Sequence, residues 1–191
     1  MQPWQPLLDF WFGDDSADAP RAARQAPLWW GKSSETDALL THRFGELAEG
    51  AAEGELAHWA EVPVGRLALI LLLDQLPRNI HRDTPAAFAQ DAKARDLCLR
   101  GLSLGADKAL SPLARVFFYL PLEHAESREQ QARSVALFEA LAAEQADGPA
   151  RETFEGFADF ARRHQVIIQR FGRFPHRNAI LGRTSTPEEA E

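Results

Sequence analysis

The stretch Leu67-Ala-Leu-Ile-Leu-Leu-Leu73 is aliphatic at every position, and Asp74 follows it at once. Read as a helix from Val64 to Gln75, it has no polar stripe to turn toward water, so it has to be enclosed. It is far short of the roughly 20 residues that span a bilayer, so the enclosure is protein. Asp74 ends the segment, and a carboxylate in such surroundings is expensive unless it is paired. The rest of the chain must therefore wrap a central helix and bring a partner to Asp74.

The flanking sequence supplies wrapping helices. Leu39, Leu40, Phe44, Leu47 and Ala48 recur at helical spacing across Ser34 to Gly50, with Ser34 and Asp37 as a capping box. Thr84-Pro85 and Ser111-Pro112 each put a cap before a first-turn proline. Ser127 and Gln130 open a helix that carries Val135, Leu137, Phe138 and Leu141 until Gly148-Pro149 stops it. A last long helix runs from about Ala150 to Arg170 and ends at Gly172, burying Phe154, Phe157, Phe160, Ala161, Ile167 and Ile168. Asp14–Ala26 and Leu141–Arg151 read as surface connections or helix edges. No segment alternates apolar and polar residues for long enough to be a strand. The expected fold is all-α, about seven or eight helices in antiparallel pairs, as a single domain over residues 1–191.

Charge and composition narrow the function. The net charge of -7 argues against broad nucleic-acid or anionic-membrane binding, which needs a basic face. The one cysteine, Cys98, has no internal disulfide partner and reads as a small core residue. Met1-Gln-Pro-Trp-Gln-Pro6 has neither a basic nor an apolar leader segment, which points to a cytoplasmic protein. Glycine-rich phosphate loops, a nucleophile elbow and a Cys-x-x-Cys pair are absent from the sequence, and no cofactor is expected. Trp4 and Trp11 are seven apart, on one helix face, and Trp29-Trp30 reads as core, with an association patch as the alternative.

Three groups of polar residues stand out against this background. Asp74, Arg78 and Asn79 surround Pro77, which should break the central helix. Glu123, His124 and Glu126 follow Pro121, near an expected kink or helix start. His164 precedes Arg170-Phe-Gly-Arg-Phe-Pro-His-Arg-Asn-Ala-Ile-Leu-Gly-Arg183, which carries four arginines and a histidine without an acid. The run Pro77-Arg-Asn-Ile-His-Arg-Asp-Thr-Pro85 is echoed from Pro175 to Pro187, either as a duplicated half or as two similar helix ends. Glu123, His124, Glu126, His164 and His176 would hold a metal only if distant segments converged, and the nearby arginines would repel the ion.

Four stretches resemble an uncharacterised bacterial family, domain of unknown function 924. They are Leu8-Asp-Phe-Trp-Phe-Gly13, Leu71-Leu-Leu-Asp-Gln-Leu-Pro-Arg-Asn79, Tyr119-Leu-Pro-Leu-Glu-His-Ala-Glu126 and the arginine-rich run up to Arg183. The resemblance implies an all-helical, tetratricopeptide-repeat-like fold and no established activity. Ala125 stands where family members often carry serine, and the sequence after Ser185 has fewer apolar residues than the resemblance leads one to expect.

The leading expectation is one cleft. Asp74, Arg78, Asn79, Arg173, His176, Arg177 and Asn178 would bind a phosphate- or carboxylate-bearing small molecule there, and His124, Glu126 and His164 would be acid–base candidates if it is an enzyme. The alternative is a helical-repeat-like interaction module that takes an acidic peptide. A third reading makes the polar network purely structural. Oligomeric state is not legible in the residues.

Overall fold

Helix α4 (Pro63–Ile70) lies inside the computed structural model, which describes residues 2–14 and 17–190. Every residue from Gly65 to Ile70 is buried. The chain does not break at Pro77. A π turn over Leu71–Gln75 carries α4 into α5 (Leu76–Ile80), and the Leu76 N–H reaches back to the Leu71 carbonyl. Proline lacks an N–H and crowds the carbonyl four residues back, so a locally wider turn lets the helical path continue where an α turn would not.

Against this axis pack α3 (Ser34–Glu53), α6 (Asp91–Ser103) and α7 (Pro112–Glu123), while α1 (Gln5–Phe12) pairs with α2 (Asp18–Trp30), which meets α7. Helices α8 (Arg128–Ala143) and α9 (Pro149–Phe171) form the most extensive pair. They run antiparallel: Arg128 at the start of α8 donates to the Gln169 carbonyl near the end of α9, and Arg162 meets Glu139 in mid-pair. Among the described residues there is no strand, and no helix is long and apolar enough to cross a membrane. The architecture is all-helical.

The caps explain several boundaries. Ser111 and Ser127 accept from the N–H groups of Ala114 and Gln130, as the sequence predicts. The cap of α3 is Ser33, not Ser34; its hydroxyl accepts from Thr36, and Asp37 is drawn instead to Arg82. Of the span Asp14–Ala26, predicted as a surface connection or helix edge, residues 18 onward belong to α2, while residues 15 and 16 lie outside the described residues. Pro121 does not end α7, which runs on to Glu123.

Helix α9 buries a narrower stripe than expected: Phe154, Ala158, Ala161 and Ile168. Phe160 is 57% exposed, and Phe157 and Ile167 are only half-buried. One face of the helix meets α8 and α2, and Phe160 falls off that face. Trp29 is buried and donates through Nε1 to the Trp11 carbonyl at 2.9 Å. Its neighbour Trp30 is half exposed and stacks on Phe117 with ring centroids 5.8 Å apart.

Side chains crowd closely on Gly101 of α6. A Cβ there would lie 2.4 Å from Phe118 and 2.7 Å from the Arg66 side chain. Gly101→Ala is therefore expected to cost about 1–3 kcal/mol by overpacking. Urea titration should show a lower midpoint with an unchanged m-value, and an unchanged midpoint would contradict the packing.

Candidate functional site

The π turn places Asp74 on the inner side of the helix axis, with no exposure to solvent. Its carboxylate receives His124 Nδ1 at 2.8 and 3.0 Å and Gln75 Nε2 at 2.5 Å, and Arg78 Nη1 lies 3.3 Å away. Burial alone would raise its pKa; Arg78 and His124 more than offset that, so Asp74 stays ionised. His124, just after α7, is held below its ordinary pKa by burial and by Arg78, against the pull of Asp74. A neutral ring that donates its Nδ1 proton to Asp74 keeps an Nε2 lone pair, and no described residue bonds that nitrogen.

Arg78 forms a forked pair with Asp91, at 2.9 and 3.0 Å, and also donates to the Asp74 carbonyl. Arg177 reaches the same Asp91 at 3.4 Å and lies between the rings of Phe88 and Phe174, 4.7 and 4.5 Å from their centroids. The two arginines of the internal echo thus converge on one carboxylate. Burial and Arg78 push the Arg177 pKa down to about 10, and its Nε has no partner. On the other side of Arg78, Asn79 and Arg82 both bond Asp37 of α3.

Glu123 is almost fully buried at the end of α7. Its partner is His164 Nδ1 at 3.1 Å, and that nitrogen also faces the Phe160 carbonyl at 2.9 Å. Burial and the nearby Asp74 raise the Glu123 pKa to about 8, so it is a neutral acid at pH 7. Burial lowers the His164 pKa. The His124 and His164 rings are 6.4 Å apart.

Two hollows meet here. One, of about 330 Å³, is lined by Trp30, Leu120, Phe138, Phe157 and Phe160, with Glu123, His124 and His164 as its polar groups. The other, of about 250 Å³, is lined by Trp29, Trp30, Gly31, Gln75, Arg78, Asn79, Arg82 and His124. His124 and Trp30 belong to both.

The structure brings Asp74, Arg78, Asn79, His124 and His164 together and gives the other expected site residues different work. Glu126 accepts from Arg183 and from the Phe174 N–H, and these partners hold its pKa below the ordinary value despite partial burial. An acid so occupied stays charged and is not free to move a proton. Arg173 forks onto Glu189, and Asn178 bonds Glu189, Ser185 and Arg183. His176 is exposed beside Phe174. These residues fasten residues 183–190 beneath the turn that holds Arg177. Asp91, Asp37, Arg82, Gln75 and the acid role of Glu123 were not foreseen. Only the placement of Glu123 next to His124 hinted at any of them.

The residues that build this site are widely spread, and a family model spans nearly all of them. The model for bacterial proteins of unknown function, DUF924, matches residues 7–191. The chain belongs to that family. It is similar to a solved protein of unknown function from Agrobacterium tumefaciens, with 37% identity, a TM-score of 0.81, and coverage of 98% of this chain and 94% of that one. No curated protein matches. The matched residues include Asp74, Arg78, Glu123 and His124.

Glu123 yields a measurable pH effect. Its folded pKa, near 8, exceeds the ordinary 4.5, so the folded state keeps a proton that the unfolded chain releases. Its contribution to stability is full below about pH 4.5 and declines as pH rises toward 8. Glu123→Gln removes this loss. Relative to wild type it should gain on the order of 2–4 kcal/mol between pH 5 and pH 8.5 in denaturant titrations. A constant difference across that range would mean that Glu123 is ionised in the fold.

Proposed function

We propose that this DUF924 protein binds a small molecule with an apolar body and one carboxylate-type head, and that His124 acts on it as a base. The single observation that carries this reading is the position of His124: its ring is oriented by buried Asp74 and faces both the apolar and the polar hollow. The apolar hollow has the aromatic lining and size of a small-molecule site. Asp–His pairing of this kind sets the tautomer and leaves the distal nitrogen as proton acceptor. Proton abstraction or activation of water at the junction is the chemistry such a base supports.

The charge balance selects the head group. Arg78, Arg82 and Arg177 are largely met by Asp91, Asp37 and Asp74. What remains is a set of unused N–H donors with little net charge, which suits one negative charge better than a polyanion. The phosphate-binding form of the earlier expectation is therefore the weaker one.

Thermal-shift and calorimetric titration with aryl and branched alkyl carboxylates, their amides, and acidic peptides tests this reading. A fitting carboxylate at 100 times its dissociation constant should add about 2.7 kcal/mol of stability, while its amide adds much less. Arg82→Gln should weaken the carboxylate roughly tenfold. His124→Asn, whose amide can still donate to Asp74, should keep the fold and abolish any turnover of the bound compound. If acidic peptides shift the melting point and no carboxylate does, the interaction-module reading replaces this one.

A further inference from the structure

Helix α4 has a second face, turned away from the His124 cleft. There Arg66, Leu69 and Leu73 line a hollow of about 270 Å³ together with Lys93, Leu97 and Arg100. Alanines and Gly54 complete its wall, and no acid lines it. In a chain with 28 Asp and Glu against 21 Lys and Arg, three bases without an acid are an exception.

Arg66 makes the exception costly. It is 6% exposed. Its Nη1 donates to the Leu97 carbonyl at 3.1 Å and its Nη2 to the Ala60 carbonyl at 2.8 Å, while Nε has no partner. Carbonyl dipoles satisfy hydrogen bonds but leave the charge without a counter-ion. The other buried arginine, Arg177, shares Asp91 with the part-buried Arg78. Among the described residues Arg66 has no carboxylate at ion-pair distance, and its near charged neighbour is Arg100, a like charge. Arg100 in turn has no ion pair or side-chain hydrogen bond among the described residues and stands exposed at the mouth. Among the described residues Lys93 has one side-chain hydrogen bond, to the Ala52 carbonyl. Burying a guanidinium against another cation is unfavourable, and an entering anion reverses the sign of that interaction.

We infer that this hollow is a second binding site, for a small oxyanion with a short apolar tail, its head between Arg66 and Arg100 and its tail against Leu69, Leu73 and Leu97. Guanidinium forks suit carboxylate and phosphate oxygens alike, and the leucine floor favours a ligand that is more than an inorganic ion.

The test uses the whole chain in anion-poor buffer with four probes: inorganic phosphate, hexanoate, hexyl phosphate and hexanol. At least one oxyanion should raise the melting point by several degrees, and the tailed form should do so at roughly tenfold lower concentration than inorganic phosphate. Hexanol should do nothing. The comparison of hexanoate with hexyl phosphate identifies the head group. Arg100→Gln keeps helix propensity, so it should fold; it should raise the melting point without anion, by removing the like charge, and weaken the oxyanion at least about tenfold. Arg82→Gln, in the other cleft, should leave the response to hexyl phosphate unchanged, because that cleft suits a single carboxylate charge. The inference is overturned if no oxyanion shifts wild type up to about 50 mM, if Arg100→Gln keeps the response, or if it melts lower without anion.

Discussion

A carboxylate with no access to water governs this molecule. Asp74 lies where the buried central helix passes through its π turn, and charge at such a depth persists only with partners on several sides. Meeting that demand ties together distant parts of the chain. The turn itself brings Gln75 and Arg78, the end of α7 brings His124, and Arg78 recruits Asp91 from α6. Arg177 then arrives on Asp91 from beyond α9, which requires the turn after α9 to be held in place. Arg173, Asn178, Glu126, Arg183 and Glu189 hold it. Much of what looks like a binding loop in the sequence is therefore the outer layer of a support for one buried charge.

The same dependence explains how the legible and illegible parts divide. The central helix, the serine caps of α7 and α8 and the Gly172 stop of α9 follow from local rules, and they were readable. Asp74, Arg78, Asn79, His124 and His164 were readable as a group because polar residues beside buried helices need an explanation. Their partners were not. Asp91 opens α6 as an ordinary acid in a first turn, and nothing local marks it as the meeting point of two arginines. Phe160 has helical spacing with the buried residues of α9, yet it lies just outside the covered stripe and lines the apolar hollow instead. Periodicity gives a face; which neighbours cover that face is a tertiary fact. Pro77 misled for a related reason. Its cost is local, and a π turn absorbs it; Pro121 does stand near a helix end, with Glu123, His124 and Glu126 between α7 and the start of α8.

The arginine-rich run shows why counting charge along a sequence can mislead about charge in space. Four arginines without an acid look like a cationic surface. In the fold, Arg170, Arg173, Arg177 and Arg183 face Glu188, Glu189, Asp91 and Glu126. Acids from three other segments return to neutralise them. Arg66 and Arg100 lie 34 residues apart in an unremarkable background, and no acid comes to them. These two stand beside a hollow that no acid lines, and composition gave no sign of it.

Two buried groups on opposite sides of α4 are therefore left in costly states: Glu123, kept protonated beside an aromatic hollow, and Arg66, kept charged without a counter-ion. Either could be replaced by an apolar residue of similar size with a gain in stability, because each lacks the full set of partners that Asp74 has. The Asp74 network has the opposite character. Its removal would strand Arg78 and His124, so its cost is met inside the fold and its presence alone does not call for a ligand. An unmet cost beside an open hollow does call for one. On that criterion the Glu123 side of the His124 cleft and the Arg66 hollow are the two places where this chain gains most from a bound molecule, while the arginines after α9 gain little.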